Sequence, residues 1–193
     1  MQPRPNIVLA SASPRRQELL KLLQVDFEVL SCQIPEMAGL NESAQEMVQR
    51  LAKAKAEATQ RLRPQAIVVG ADTVVVCDDQ MLGKPPSREA ARIMLSKLSG
   101  RAHQVLTGVC VLHQEKCELA LSETLVQFSS LSSHEIEAYL NTDEPFDKAG
   151  AYAIQGFGAR FIERIDGCYF NVVGLPVSLL YQLLRKMGCS FDG

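Results

Sequence analysis

A carboxylate within the most hydrophobic strand of the sequence is the feature that most constrains the fold. The segment Ala66–Cys77 is rich in valine, which is typical of a buried β-strand. Asp72 lies within it, on the strand face shared by Val68, Gly70 and Val74. An unpaired carboxylate there would be costly, so Asp72 requires a cation, a metal ion or strong donors, and backbone donors alone are the structural alternative. Gly70 leaves room on the same face for a close approach.

Composition predicts one globular domain, residues 1–193. The chain is 47% hydrophobic and 22% charged, which excludes disordered, collagen-like and disulfide-scaffold classes. Its 20 Lys and Arg against 22 Asp and Glu give a formal charge of −2, which argues against a nucleic-acid-coating protein. No apolar run approaches the ~20 residues of a membrane span, so no membrane partner is expected. The polar N-terminal segment, residues 1–5, has no signal-peptide core, which favours a cytoplasmic location.

Hydrophobic periodicity and capping signals give the element order. The predicted strands are Asn6–Ala10, Phe27–Cys32, Ala66–Cys77, Gln104–His113, Lys116–Phe128, and a hairpin of Ala159–Ile165 with Cys168–Val173 around Asp166-Gly167. The first predicted helix begins at Pro14, and the second opens with a capping box at Ser43 and continues to about Leu62. The later predicted helices are Ser87–Ser99, Ser132–Leu140, which also opens with a capping box, and Pro176–Met187, and a loop is predicted over Asp78–Pro86. Helices alternate with strands early and hairpins dominate late. This order predicts an α/β protein with a mixed sheet.

Three cations stand where stability alone would not place them. Arg15 and Arg16 occupy the first turn of a helix, where the helix dipole favours acidic residues, and Ser11 precedes them. Free backbone N–H groups with added cations suit an anion such as phosphate, although two solvated surface arginines are the simpler alternative. Lys55 falls within the apolar stripe of the long second helix, which is expected to run through Val48, Leu51, Ala58 and Leu62. It either reaches solvent along the helix or points into a cleft.

Lys84 adds a fourth cation, in a segment constrained by the two prolines that follow it. A plain surface loop is the alternative interpretation. Several cations around the Asp72 carboxylate are the arrangement expected where a polyphosphate meets a divalent metal ion.

The six cysteines predict reduced structural thiols. The one grouping of metal-ligand types is Cys110, His113 and Cys117, and the odd spacing of the first two places them on opposite faces of a strand. The sequence lacks a P-loop, a Gly-x-Ser-x-Gly serine-hydrolase motif and a His-Glu-x-x-His zinc motif, which removes three common enzyme classes.

Five ordered motifs together resemble the Maf family of nucleotide pyrophosphatases, over about Ile7 to Met187. They are Ser11–Arg16, Gly70–Thr73, Gly83–Pro85, Asp147–Gly156 and Asn171–Pro176. The resemblance implies a fold of the Maf/inosine-triphosphatase type, with a long curved mixed sheet flanked by helices and a central cleft. It also implies cleavage of a nucleoside triphosphate between its α and β phosphates, with a divalent cation, Mg²⁺ or Mn²⁺. A homodimer is expected from the resemblance alone.

The resemblance also assigns roles to particular residues. Asp72 would be general base or metal ligand, with Glu36 as a second acidic group, and Lys55 and Lys84 would join Arg15 and Arg16 on the triphosphate. The residues that separate subgroups fall on Arg15, Thr73 and Gln155, which match the dTTP/UTP subgroup rather than the 7-methyl-GTP one. The remaining substrate-binding candidates are Ser11 and Lys148.

Two positions depart from the family pattern. Pro35 and Ala54 stand where the family often has an acidic residue, immediately before Glu36 and Lys55. Neither residue supplies the extra carboxylate that could help to hold a second metal ion. The two departures also leave open a regulator of cell division that binds nucleotides without turnover.

Overall fold

Seven β-strands and six α-helices occur within residues 6–191, the part of the chain that this computed structural model describes. The strands are β1 (Ile7–Leu9), β2 (Phe27–Val29), β3 (Ile67–Cys77), β4 (Gln80–Leu82), β5 (Ala102–His113), β6 (Lys116–Phe128) and β7 (Ile162–Gly167). The helices are α1 (Pro14–Lys21), α2 (Ala44–Gln60), α3 (Arg88–Leu98), α4 (Ser133–Leu140), α5 (Tyr169–Val173) and α6 (Val177–Lys186). Two 3₁₀ turns cover Ala149–Ala151 and Gly156–Phe161. Residues 1–5, on which the location prediction rests, lie outside the described residues.

The strands form one mixed sheet in the order β2-β1-β3-β5-β6-β7, with β4 paired to β3. Strand β1 runs parallel to both β2 and β3, whereas β3/β4 and β6/β7 are antiparallel pairs. This sheet and its helices confirm the predicted α/β class. The chain divides into two compact units: unit 1 holds residues up to Asp72, Thr107–Ser122 and residues from Gly174, and unit 2 holds Thr73–Leu106 and Glu123–Val173. The single-domain prediction stays a prediction.

In unit 1, helix α2 packs directly on two glycines. A Cβ added at Gly70 would lie 2.1 Å from the Ala52 carbonyl oxygen, and one added at Gly108 would lie 2.3 Å from the Val48 carbonyl oxygen. Both contacts are with helix backbone, so no side-chain rotation could relieve them. The close approach predicted at Gly70 is therefore that of α2 itself, and it sets the distance between this helix and β3.

Unit 2 is built around a cluster of aromatic rings. Phe128 contacts His103, Tyr152 and Phe161 through ring-to-ring packing, with centroids 4.7–6.3 Å apart. The His103 Nε2 lies 2.8 Å from the Tyr152 hydroxyl. Burial lowers the pKa of His103 to about 4, so this ring is neutral near neutral pH.

The local helix signals are confirmed. The Ser43 and Ser132 hydroxyls each accept a hydrogen bond from the backbone N–H three residues on. The Glu46 and Glu135 carboxylates accept one from the backbone N–H of the same serines, which completes both capping boxes. Ser13 is the N-cap of α1, as predicted, although its side chain makes no capping hydrogen bond. Within residues 6–191, none of the helices combines the length and the apolar character that crossing a membrane requires.

Two predictions on the later part of the chain are wrong. Asp166 and Gly167 are not a hairpin turn, because they continue β7 and pair with Leu125 and Thr124 of β6. The predicted second strand is helix α5, whose buried Asn171 donates hydrogen bonds to the Val105 carbonyl and the Thr124 hydroxyl. Gly167 has a φ of +127°, a conformation that glycine alone adopts easily, and this explains the glycine without a turn.

The predicted loop Asp78–Pro86 also contains a strand that sequence reasoning missed. Strand β4 is only three residues long and pairs with the end of β3, from Val75 to Cys77. Asp78 and Asp79, which join the two strands, both have positive φ. A tight connection with this backbone brings β4 back alongside β3.

Candidate active site

Asp72 is buried in β3, as the sequence predicts. Only 7% of its surface is exposed. Burial raises the pKa of Asp72 above its ordinary value, and the ammonium of Lys55 and the guanidinium of Arg16 oppose that shift. The charge requirement inferred for this strand is met by cations from the chain itself.

Lys55 joins two carboxylates. Its Nζ donates hydrogen bonds of 2.5 Å to Asp72 Oδ1 and 2.5 Å to Glu36 Oε1. The lysine is buried on the face of α2 that packs against the sheet, and the alternative in which it reaches solvent is wrong. Glu36 lies on the loop before α2, and 46% of its side chain is exposed, so it forms the solvent side of the cluster.

The apolar stripe inferred for this helix needs one correction. Leu62 was expected to extend it, but α2 ends at Gln60 and Leu62 is exposed. The buried face of α2 instead consists of residues three or four apart in sequence. They are Met47, Val48, Leu51, Ala52, Lys55, Ala56 and Thr59.

Arg16 lies beside this cluster. Its Nε donates to the Gly174 carbonyl at 2.8 Å, and its Nη1 donates to the Ala71 carbonyl at 2.9 Å and to Ser11 Oγ at 3.3 Å. Burial lowers the pKa of Arg16, whereas Asp72 and Glu36 raise it. The guanidinium is thus fixed by backbone oxygens next to the carboxylates, which contradicts a freely solvated Arg16.

Arg15 and Ser11 complete the group in unit 1. Arg15 is half-buried in the first turn of α1, which contains no acidic residue, and its charge lowers the pKa of neighbouring Arg16. Ser11 is buried, and its Oγ also accepts a hydrogen bond from the Ser13 N–H at 3.3 Å. The first turn of α1 therefore concentrates positive charge, as an anion site requires.

The other candidates lie in unit 2. Thr73 is half-buried and follows Asp72 directly along β3, and Lys84 is exposed on the loop after β4. The Gly83 carbonyl accepts a hydrogen bond of 3.1 Å from the Gly150 N–H, which joins the Lys84 loop to the turn that follows Lys148. Two predicted motifs of the second unit are thereby connected, and Gly150 also packs against Val75 of β3.

Lys148 precedes this turn, and Gln155 follows it. The Lys148 Nζ donates to the Glu144 carbonyl at 2.5 Å and pairs with the Asp147 carboxylate. Gln155 is exposed and precedes the 3₁₀ turn Gly156–Phe161, to which its side chain gives no capping hydrogen bond.

Sequence reasoning missed the two residues whose carbonyl oxygens hold Arg16, Ala71 and Gly174. A backbone acceptor leaves no side-chain signature in the sequence. The signal that could have pointed to them is that both lie within motifs already singled out, at Gly70–Thr73 and Asn171–Pro176.

Asp72 and Glu36 are the side chains that would hold the divalent cation expected from the resemblance. Residues 6–191 include no group of three or more His, Cys, Asp or Glu side chains placed to hold a metal ion. Asp72 and Glu36 nevertheless direct oxygens to one point, the Nζ of Lys55. Mg²⁺ is commonly bound by one or two carboxylates together with water and substrate phosphates. The donor set therefore fits Mg²⁺ or Mn²⁺, both of which prefer oxygen ligands.

The grouping of Cys110, His113 and Cys117 was the other set of metal-ligand types in the sequence. Cys110 Sγ lies 3.7 Å from Cys117 Sγ, and burial raises the pKa of the Cys110 thiol. All six cysteines, which fall within residues 6–191, are free thiols. Cys110 packs with small residues of α2, Ala52 and Ala56, as a small hydrophobic side chain does.

Two solved structures align with nearly the whole chain. A HAM1 protein from Coxiella burnetii aligns with a TM-score of 0.57 and 12% identity, covering 94% of this chain and 99% of that one. The Staphylococcus aureus Ham1 protein aligns with a TM-score of 0.54 and 15% identity, with coverage of 94% and 99%. At these identities the likeness shows the fold alone.

Sequence relatives are much closer. A dTTP/UTP pyrophosphatase of Desulforamulus reducens is 48% identical over 184 residues, which are 94% of this chain and 96% of the relative. One of Bacillus pumilus is 47% identical over 182 residues, with coverage of 94% and 96%. The family model for Maf-like proteins matches residues 6–187. On this match, together with the charged cluster around Asp72, the chain belongs to the Maf family.

Proposed function

We propose that this chain is a pyrophosphatase that hydrolyses dTTP and UTP to the nucleoside monophosphate and pyrophosphate. The observation that carries the proposal is the buried Lys55 ammonium held between Asp72 and Glu36 at 2.5 Å from each. Relatives that share nearly half of its residues are named dTTP/UTP pyrophosphatase, which supports the choice of substrate.

Asp72 acts on the attacking water, either as its general base or by holding the cation that activates it. Both roles need an ionised carboxylate, and the Lys55 ammonium at hydrogen-bond distance favours that form. When bound to Asp72 and Glu36, Mg²⁺ or Mn²⁺ would supply charge neutralisation at the phosphates.

The cations neutralise the triphosphate, whose charge is roughly −4. A lysine has three N–H groups, of which Lys55 gives one to Asp72 and one to Glu36, and its third contacts a phosphate oxygen. Arg15, Arg16 and Lys84 add three positive charges. Groups fixed before the substrate binds stabilise developing charge best, and Arg16 is so fixed by its two carbonyl partners.

Thr73 and Gln155 form hydrogen bonds with the pyrimidine edge, and Lys148 assists in the same pocket. A site built to hydrogen-bond a base rejects the wrong base, because buried polar groups are then left unpaired. Cytoplasmic location and homodimer formation remain predictions from the sequence and its resemblance.

A pyrophosphate-release assay over a panel of nucleoside triphosphates with Mg²⁺ or Mn²⁺ tests the proposal. Asp72→Asn should abolish turnover while the far-UV circular dichroism spectrum stays unchanged. The matched control is Asp166→Asn, an exposed aspartate on β7, which should retain wild-type turnover. An absence of turnover with every substrate would favour the regulator hypothesis, and a preference for purines would refute the specificity.

A further inference from the structure

Glu144, to which the proposed reaction gives no role, is the hub of a hydrogen-bond network in unit 2. Its carboxylate accepts three hydrogen bonds: from the Tyr139 hydroxyl at 2.8 Å, the Phe157 N–H at 2.9 Å and the Gly158 N–H at 2.9 Å. Burial raises the pKa of Glu144, but these donors and the Lys148 charge outweigh it and hold the pKa below its ordinary value. The group therefore acts as a fixed anion.

The backbone closes tightly over this anion. Gly156 has a φ of +81°, and a Cβ added there would lie 2.4 Å from Glu144 Oε2. The carboxylate thus sits under the first residues of the 3₁₀ turn Gly156–Phe161, and its two backbone donors come from that turn. Gln155 immediately precedes the turn, so the position of its backbone is set by the same contacts.

Glu144 also contacts Lys148, but through a different atom. The Lys148 Nζ donates to the backbone carbonyl of Glu144 at 2.5 Å, which a side-chain substitution would leave in place. Glu144 thereby contacts both Lys148 and the turn that follows Gln155. Only the contact with the turn depends on the Glu144 carboxylate.

We propose that Glu144 is a positioning residue for base selection, whose carboxylate fixes the turn that presents Gln155 to the pyrimidine. This rests on the proposed function, in which Gln155 contacts the base. The expected effect is on selection, because the hydrogen bonds that the Glu144 carboxylate accepts come from Tyr139 and from the turn that follows Gln155.

Glu144→Gln tests the proposal with minimal change of shape. The amide turns N–H donors toward the Tyr139, Phe157 and Gly158 donors, so at least one of these contacts is lost. We expect the preference for dTTP over dCTP, as a ratio of kcat/KM, to fall roughly tenfold through a higher KM for dTTP. The kcat for dTTP should change by less than about twofold, since the reacting groups are untouched.

A double-mutant cycle with Gln155→Ala separates positioning from a general structural role. If Glu144 acts through Gln155, the double variant has no lower selectivity than Gln155→Ala alone. The matched control is Glu137→Gln, which removes a carboxylate of the same unit that pairs with Arg88 and Arg92. It should leave selectivity unchanged.

Additive losses of selectivity, unchanged selectivity in Glu144→Gln, or an equal loss of kcat/KM for dTTP and dCTP would each overturn the proposal. So would a Gln155→Ala variant with wild-type selectivity. Should Glu144→Gln not fold, Tyr139→Phe removes one donor to the carboxylate and must show the same change in the same direction.

A binding measurement keeps this inference distinct from the proposed function. Calorimetric titration of dTTP and dCTP into the Asp72→Asn variant, with and without Glu144→Gln, reports base selection without turnover. A wild-type protein that hydrolyses no nucleotide refutes the proposed function, whereas equal dTTP preference in both titrations refutes the role of Glu144.

Discussion

Replacing Gly70 by alanine tests whether the spacing of α2 and β3 controls the active site. The added Cβ would lie 2.1 Å from the Ala52 carbonyl oxygen and 3.0 Å from the Ala56 amide nitrogen. Ordinary van der Waals contact begins near 3.4 Å. Because both neighbours are backbone atoms of α2, the helix has to retreat by about 1 Å.

The expected cost follows from this displacement. Overpacking of a tight core costs about 1–3 kcal/mol, and the loss of glycine freedom in the unfolded chain returns about 0.4–1 kcal/mol. We therefore expect the free energy of unfolding to fall by about 1–2 kcal/mol. A retreat of about 1 Å would also stretch the Lys55–Asp72 hydrogen bond from 2.5 Å to the limit of such bonds. Misplacement of this size can lower kcat by a factor of about 10 to 100.

Urea unfolding and pyrophosphate release at 25 °C measure the two effects separately. A protein destabilised by so little stays folded in the assay, so a fall in kcat reports the altered geometry. The control for stability is Gly83→Ala, since a Cβ at Gly83 meets no atom within 4 Å. If Gly70→Ala keeps both wild-type stability and wild-type kcat, the spacing argument is wrong.

Three further predictions concern stability. Burial lowers the pKa of His103 to about 4, from 6.5 in the unfolded chain, because the buried ring resists protonation. The stability that the neutral ring contributes is therefore complete above pH 6.5. As the pH falls towards 4, the free energy of unfolding should decrease by about 3 kcal/mol. Urea unfolding between pH 7.5 and 4.5 should show a weaker pH dependence in His103→Gln, and equal slopes would contradict the assignment. Ser43→Ala removes the cap of α2 and should cost about 1 kcal/mol in thermal unfolding, against no change for Ser130→Ala, which alters an exposed loop serine. Asn171→Leu leaves the Val105 carbonyl and Thr124 hydroxyl without their amide donor and should cost about 1–3 kcal/mol, and a neutral result would show that α5 is held by other contacts.

The site residues that could be predicted are those whose position costs stability. Asp72 in an apolar strand and Lys55 on an apolar helix face are both anomalies that one sequence reveals, and the structure pairs them. Glu36 is different, because an exposed loop carboxylate costs nothing and was suggested by the family resemblance alone. Its place beside Lys55 depends on tertiary structure.

The fold was predictable where local signals agree with the tertiary structure. Both capping boxes and the strand Ile67–Cys77 are of this kind. The Asp166-Gly167 signal failed because pairing with β6 extends the chain through it. Strand β4 was missed because three residues are too few to show a period, and its pairing partner is supplied by β3.

The two glycines under α2 bear on how such a protein can evolve. At most positions the distance between packed elements can be adjusted in steps, from large side chains through intermediate ones to small ones. At Gly70 and Gly108 no smaller residue exists, and the smallest larger one already collides with the helix backbone. A single substitution at either glycine therefore cannot bring α2, and with it Lys55, closer to Asp72. Relatives that retain this chemistry should retain glycine at both positions, and variation in activity should arise elsewhere.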